Sequence, residues 1–145
     1  MDQTPQLNAS RVVRILYSAL LGGLTVCGAM LYLVRRVLQP PAVGATPVLT
    51  VVLTVIAVVP LFIALSVLRP RVPDRRVEQD VELYWRDASS RTSAIVLWAT
   101  VEGAGLVGAV GYFLTGATAP AVAFALAVAA LVLLRPGRLE GDGAA

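Results

Sequence analysis

Apolar residues run almost unbroken through four stretches of this chain, and the charged residues are confined to the segments between them with one exception. The first run, Ile15 to Val34, contains no charged residue. A helix rises about 1.5 Å per residue, so this run is long enough to match the roughly 30 Å hydrocarbon core of a bilayer. The second, Val48 to Leu68, is of similar length and follows Pro40-Pro41, which cannot continue a helix. The third, Ala94 to Leu114, is broken only by Glu102, and the fourth, Ala119 to Leu134, is the shortest. With Ala117 and Thr118 included, and with some local thinning of the bilayer, the fourth run also suffices to cross. The pattern predicts an all-α fold: a four-helix transmembrane bundle forming a single integral membrane domain over residues 1–145, with spans at 15–34, 48–68, 94–114 and 117–134.

Between the second and third runs lies the one long polar segment, residues 69–93. Arg69-Pro70-Arg71-Val72-Pro73 is expected to block helix, after which Val77, Val81, Tyr84, Trp85 and Ala88 recur at three- and four-residue spacing among acidic and basic residues. That spacing predicts an amphipathic helix over about 77–90 lying at headgroup level, with Tyr84 and Trp85 as interfacial anchors; docking of a partner is the functional alternative.

Charge sets the orientation. All 12 basic residues are arginines. With the amino terminus inside, ten of them (Arg11, Arg14, Arg69, Arg71, Arg75, Arg76, Arg86, Arg91, Arg135 and Arg138) fall on the inner side, against Arg35 and Arg36 outside. Positive-inside bias therefore predicts both termini and the 69–93 loop in the cytoplasm of a bacterial inner membrane, the lipid bilayer being the surrounding partner. Basic residues placed this way flank spans and are not interleaved with aromatics, so no nucleic acid partner is expected. An apolar content of 57% with a mean hydropathy of +0.77 lies above the roughly 45 to 50% of soluble domains.

Histidine is absent, which removes the commonest metal ligand and the commonest acid–base group near neutral pH. The single cysteine, Cys27, excludes an internal disulfide. Leu24-Thr25-Val26-Cys27 has the outline of a lipoprotein cleavage box. Val26 stands where that box needs a small residue, however, and the apolar run continues to Val34, so Cys27 reads as a packing residue. No phosphate-cradling loop, carboxylate pair or zinc spacing occurs, and neither an enzymatic activity, a cofactor nor a metal is expected.

Glu102 is the one ionisable group well inside a span, and a charge there costs about 2.5–3.5 kcal/mol on insertion scales. Two readings fit it: a proton or cation site on a pathway, or a buried polar clamp bonded to a neighbouring helix. Around it the third span is rich in small residues, with Gly103, Gly105, Gly108 and Gly111, as the first is with Gly22, Gly23 and Gly28. Such residues let helix backbones approach closely, within the chain, in a homo-oligomer or in a larger membrane complex. Pro60, in the middle of the second span, predicts a kink, with Thr54 placed to help satisfy the local backbone.

Laid over the first span with an offset of 80, the third aligns Ala19 with Ala99, Gly23 with Gly103, Gly28 with Gly108, Ala29 with Ala109 and Tyr32 with Tyr112. The second and fourth both end in Leu-Arg-Pro. A tandem repeat of a two-helix hairpin would leave this pattern, and it would place the first and third spans against each other at the centre of the bundle.

Two resemblances attach to these residues. Ile15-Leu16-Tyr17-Ser18-Ala19-Leu20-Leu21, Leu97-Trp98-Ala99-Thr100-Val101-Glu102-Gly103, Leu114-Thr115-Gly116 and Arg135-Pro136 together give a layout that resembles a set of small bacterial four-span membrane proteins. Locally, Val101-Glu102 followed by Gly108-Ala109-Val110 is similar to the carboxylate helix of the ATP synthase proteolipid, the c subunit. That likeness implies an ion-carrying carboxylate at Glu102, although the short polar loop of the proteolipid is replaced here by the long charged segment 69–93. From the residues themselves the chain is expected to be a small scaffold or accessory subunit packing through glycine-rich helices, the alternative being a proton- or ion-handling protein centred on Glu102.

Overall fold

A computed structural model describes residues 8–38, 47–76 and 78–141, and among them every regular element is helical. Helix α1 spans Ala9–Leu38 and α2 spans Pro47–Ile63. Helix α3 is Val81–Arg86, α4 is Ala88–Thr115, α5 is Thr118–Leu133 and α6 is Pro136–Leu139. Three continuous helical segments, 9–38, 47–71 and 88–115, are long and apolar enough to cross a membrane. Helix α5 is equally apolar but shorter, about 24 Å.

Helix α4 is the centre. Its buried residues lie on more than one face, because α5, α2 and α1 all pack on it. Small side chains make this possible: Gly111 meets Pro120, Gly108 meets Phe124 and Gly105 meets Ala127, so that α4 and α5 run antiparallel at close range. At the turn between them Gly116 adopts φ 70°, the left-handed cap that closes a helix, and its N–H bonds the Tyr112 carbonyl at 2.8 Å. The outer helices bury little. In α1 only Val13, Tyr17, Leu24 and Gly28 are enclosed, and in α2 only Ala57 and Leu61. Large apolar side chains such as Val26, Met30, Val51 and Phe62 face outward. A soluble monomer does not display so much apolar surface; a bilayer covers it.

Helices α1 and α4 lie side by side and parallel, within one residue of the register of the internal repeat: Tyr17 meets Trp98, Leu24 meets Gly105 and Tyr32 stacks on its repeat counterpart Tyr112. The hairpin packing of α4 with α5 has no counterpart between α1 and α2, which sit on different sides of α4, so only α4 occupies the centre.

One local expectation is corrected, and the second span shows a further local feature. Asp87 takes an extended conformation (ψ 122°), ending α3 and capping α4 through its carboxylate, which accepts from Ser90 N and Ser90 Oγ, both at 2.9 Å. In place of one amphipathic helix over 77–90 there are two helices meeting at an acidic cap, and α4 begins at Ala88, well before the apolar run opens at Ala94. In the second span the α-helix continues through Pro60 and departs from α geometry at Ala64–Leu68, a π turn closed by Arg69 N on the Ala64 carbonyl. Thr54 Oγ1 donates to the Thr50 carbonyl one turn back, at 2.7 Å, and does not serve the carbonyl of Ile56 freed by proline.

Candidate functional site

Glu102 stands on the side of α4 that faces α1, with Oε1 3.6 Å from where a Cβ on Gly23 would sit. Trp98 and Gly105, its neighbours along the helix, turn inward and are buried, whereas Glu102 is only partly covered and Gly103 beside it is exposed. It makes no hydrogen bond or ion pair with any described residue. Among the described residues, then, nothing clamps this carboxyl by a hydrogen bond. A Cβ on Gly22 or Gly103 would meet nothing within 4 Å, and one on Gly23 would meet only the Glu102 carboxylate. Of the glycines expected to pack helices, Gly28, Gly105, Gly108 and Gly111 do so within the chain, and Gly22 and Gly103 do not. The reason is their phase on the helix: Gly22 lies on the side of α1 opposite Leu24, which packs on α4, and Gly103 lies on the exposed stripe of α4 with Val96, Ala99 and Val110.

At one end of the bundle four aromatic rings interlock. Tyr17 and Trp98 meet edge to face at 5.2 Å between centroids, Trp98 and Trp85 lie 6.2 Å apart, and Trp85 and Tyr84 lie 4.8 Å apart. Each polar tip has a partner. Tyr17 Oη donates to the Leu131 carbonyl and Trp98 Nε1 to the Leu134 carbonyl, both at 2.8 Å, satisfying carbonyls that the end of α5 leaves open. Trp85 Nε1 donates to Glu140 Oε1 and Tyr84 Oη to the Pro73 carbonyl, again at 2.8 Å. Tyr84 and Trp85 are enclosed by protein (1% and 0% exposed), so they are core residues and not the interfacial anchors that their spacing suggested. Burial pushes the Tyr84 phenol above its ordinary value, against the lowering influence of Arg69.

Glu140 is the residue that sequence reasoning missed. Its side chain is fully enclosed, its Oε2 receives Arg14 Nη2 at 3.0 Å, and its carbonyl accepts from Arg75 Nε at 2.5 Å. A carboxylate past the last apolar run carries no pattern that separates it from a solvated tail. Glu82 has a similar tying role: from α3 it accepts Ala9 N at 2.6 Å, Ser10 N at 3.2 Å and Ser10 Oγ at 2.9 Å, capping α1 from outside. Desolvation works to raise the Glu82 carboxyl, but these hydrogen bonds and nearby Arg86 outweigh it and hold the group below its ordinary value. A polar cleft of 820 Å³ opens beside this region, lined by Asp74, Arg76, Glu78 and Asp87 among others.

At the opposite end Arg35 donates to the Phe113 carbonyl, lies 5.7 Å over the Tyr112 ring and fills the space beside Gly116. Arg36 Nη1 donates to Tyr32 Oη at 2.8 Å. Beneath them is an apolar cavity of 550 Å³ between α1, α4 and α5. Cys27 is a free thiol, partly buried. Among the described residues no three of His, Cys, Asp and Glu come together as a metal site. Comparison with family models, curated proteins and solved structures finds no match.

Proposed function

We propose that this chain is a non-enzymatic scaffold or accessory subunit of a bacterial inner membrane, crossing four times, which assembles side by side through the uncovered face of α1 and α4. Glu102 carries the reading: a carboxyl in mid-span, without a partner among the described residues, bordered by Gly23 and Gly103, which leave room for another helix backbone. A second copy approaching there would offer the hydrogen-bond partner that the isolated chain lacks, a contact of about 0.6 to 2 kcal/mol in a membrane. Support for a fourth crossing comes from α5 lying antiparallel along the apolar part of α4, from Pro120 beside Gly111 to Leu134 beside Trp98. Arginine bias supports placing the end with both termini in the cytoplasm.

The test is the mass of the purified protein in lipid nanodiscs or mild detergent, read by light scattering. An oligomer is expected that Gly103→Leu and Glu102→Leu both weaken and Glu102→Gln, which can still hydrogen-bond, retains. A strict monomer in bilayer and detergent alike would overturn the proposal. The same lack of a partner favours a second reading, ion handling at Glu102. Its mark would be an ion flux in proteoliposomes that Glu102→Gln abolishes while leaving the oligomer intact.

A further inference from the structure

The far ends of α1, α4 and α5 enclose the 550 Å³ cavity, within the range of about 300–1,000 Å³ that small-molecule sites occupy. Its wall is carbon. Gly28, Ala109, Phe124 and Val128 line it, and the Phe124 ring closes over Gly28. The Thr25 hydroxyl is already engaged with the carbonyls of Leu21 and Gly22, at 2.9 and 3.0 Å. At its rim Thr25, Ala29, Tyr32 and Ala125 are exposed on the outward faces of α1 and α5, so the cavity opens sideways, where the apolar belt of the protein meets lipid. Besides Thr25, the polar groups of the lining are the hydroxyls of Tyr32, which accepts from Arg36, and of Tyr112; the rest is apolar, and a hydrocarbon chain suits it.

The mouth has a different chemistry. Arg35 and Arg36 follow Tyr32 by one helical turn, about 5 Å further along α1. Between Arg35 and Pro47, and again from Gly116 to Ala119, the sequence has no acidic residue, and neither guanidinium pairs with a carboxylate among the described residues. The contacts that hold them, the Phe113 carbonyl and the Tyr32 hydroxyl, are neutral. A guanidinium has five donors and a geometry matched to phosphate oxygens.

We propose that this cavity takes one acyl chain of an anionic phospholipid whose phosphate is held at its mouth by Arg36, with Arg35 beside it. A basic pocket between membrane helices can hold an anionic headgroup. The arrangement here joins such a mouth to a chain-sized cleft open to the bilayer. This inference rests on the membrane location alone and is independent of assembly through Glu102.

The experiment uses the full chain in phosphatidylcholine vesicles containing a minor amount of a photoactivatable lipid with the label on its acyl chain, as phosphatidylglycerol in one series and phosphatidylcholine in the other. Crosslinked positions are mapped by peptide mass spectrometry. Phosphatidylglycerol should label the Thr25–Tyr32 and Ala121–Val128 segments several-fold more than phosphatidylcholine. Arg36→Gln should bring the two lipids to equal labelling, and Ala125→Phe or Ala29→Phe, which fill the cleft from its exposed rim, should remove labelling by both. The proposal is overturned by equal labelling of the wild type by the two lipids, or by labelling that both filling variants leave unchanged. Loss of the preference in excess inorganic phosphate, which would mean a site for the free anion, or crosslinks from these segments to a second copy of the chain, would overturn it as well.

Discussion

Neighbouring glycines of α4 have opposite reasons to be there. A Cβ on Gly108 would lie 2.8 Å from Phe124 N and 2.9 Å from the Pro120 carbonyl oxygen, both backbone atoms that cannot turn aside. Gly108→Ala must therefore push α5 away from α4, and a loss of about 1–3 kcal/mol is expected, the usual cost of overpacking. Gly103→Ala meets nothing within 4 Å and should leave the fold as stable or gain about 0.5–1 kcal/mol from helix propensity. Thermal unfolding of the two variants in the same detergent separates them. Glu82 offers a pH test at the same scale. Its folded value lies below the ordinary one, so its capping of α1 is in full force above the ordinary carboxylate range and is lost as pH falls through the folded value. The Ser10 amide resonance should follow that titration, with a midpoint below that of a free glutamate, and should stop moving with acid in Glu82→Gln.

Helix α6 and the residues after it act through Glu140, which joins the C-terminal segment to α1 by Arg14 and to α3 by Trp85. Replacing it by alanine leaves a buried indole N–H without an acceptor, a loss of about 1–3 kcal/mol, while the exposed Arg14 guanidinium adds little. In Glu140→Ala the Trp85 indole N–H resonance should move and exchange with water faster while that of Trp98, bonded to a backbone carbonyl, stays; Glu140→Gln should keep most of the bond. The same elements show what sequence could and could not reveal. Apolar run length located α1, α2, α4 and α5, because in lipid the whole helix surface is apolar and length alone marks the element. It could not say which face of each helix is inside, and Gly22 and Gly108 look alike in the sequence but differ in phase. In the 69–93 segment, three- and four-residue spacing found the helical tendency but not the break, since Asp87 reads as one more polar residue until its carboxylate is seen capping Ser90. Tyr84 and Trp85 have the composition of anchors, and only the tertiary contacts with Trp98 and Glu140 make them core. Glu102 was legible as the one ionisable group in a span; that no described residue partners it was not.

Across the whole molecule, long-range contacts sort the polar segments to two ends. Ala9 with Glu82, Arg14 with Glu140 and Arg75 with Glu140 gather the start of α1, the 69–87 segment and the C-terminal residues at one end. Arg35 with Phe113 gathers the close of α1 and the α4–α5 turn at the other. If α5 completes a fourth crossing, Ser89 and Arg138 face one compartment and Thr118 the other; if it does not, Arg138 and Thr118 share a side. Single cysteines at these three exposed positions, in a Cys27→Ala background, decide between the two when treated with a membrane-impermeant maleimide. In sealed inside-out vesicles positions 89 and 138 should react at once and position 118 only after permeabilisation, with the reverse in right-side-out vesicles. The arginine count makes the direction of this result a prediction in its own right: ten arginines against two is a bias that insertion reads strongly, and moving it should move the protein. Replacing Arg11 and Arg14 by neutral residues lowers the inner count while leaving Arg35 and Arg36 in place. The wild-type labelling pattern should then become mixed, with a share of molecules inverted, whereas removal of Arg35 and Arg36 should leave it uniform.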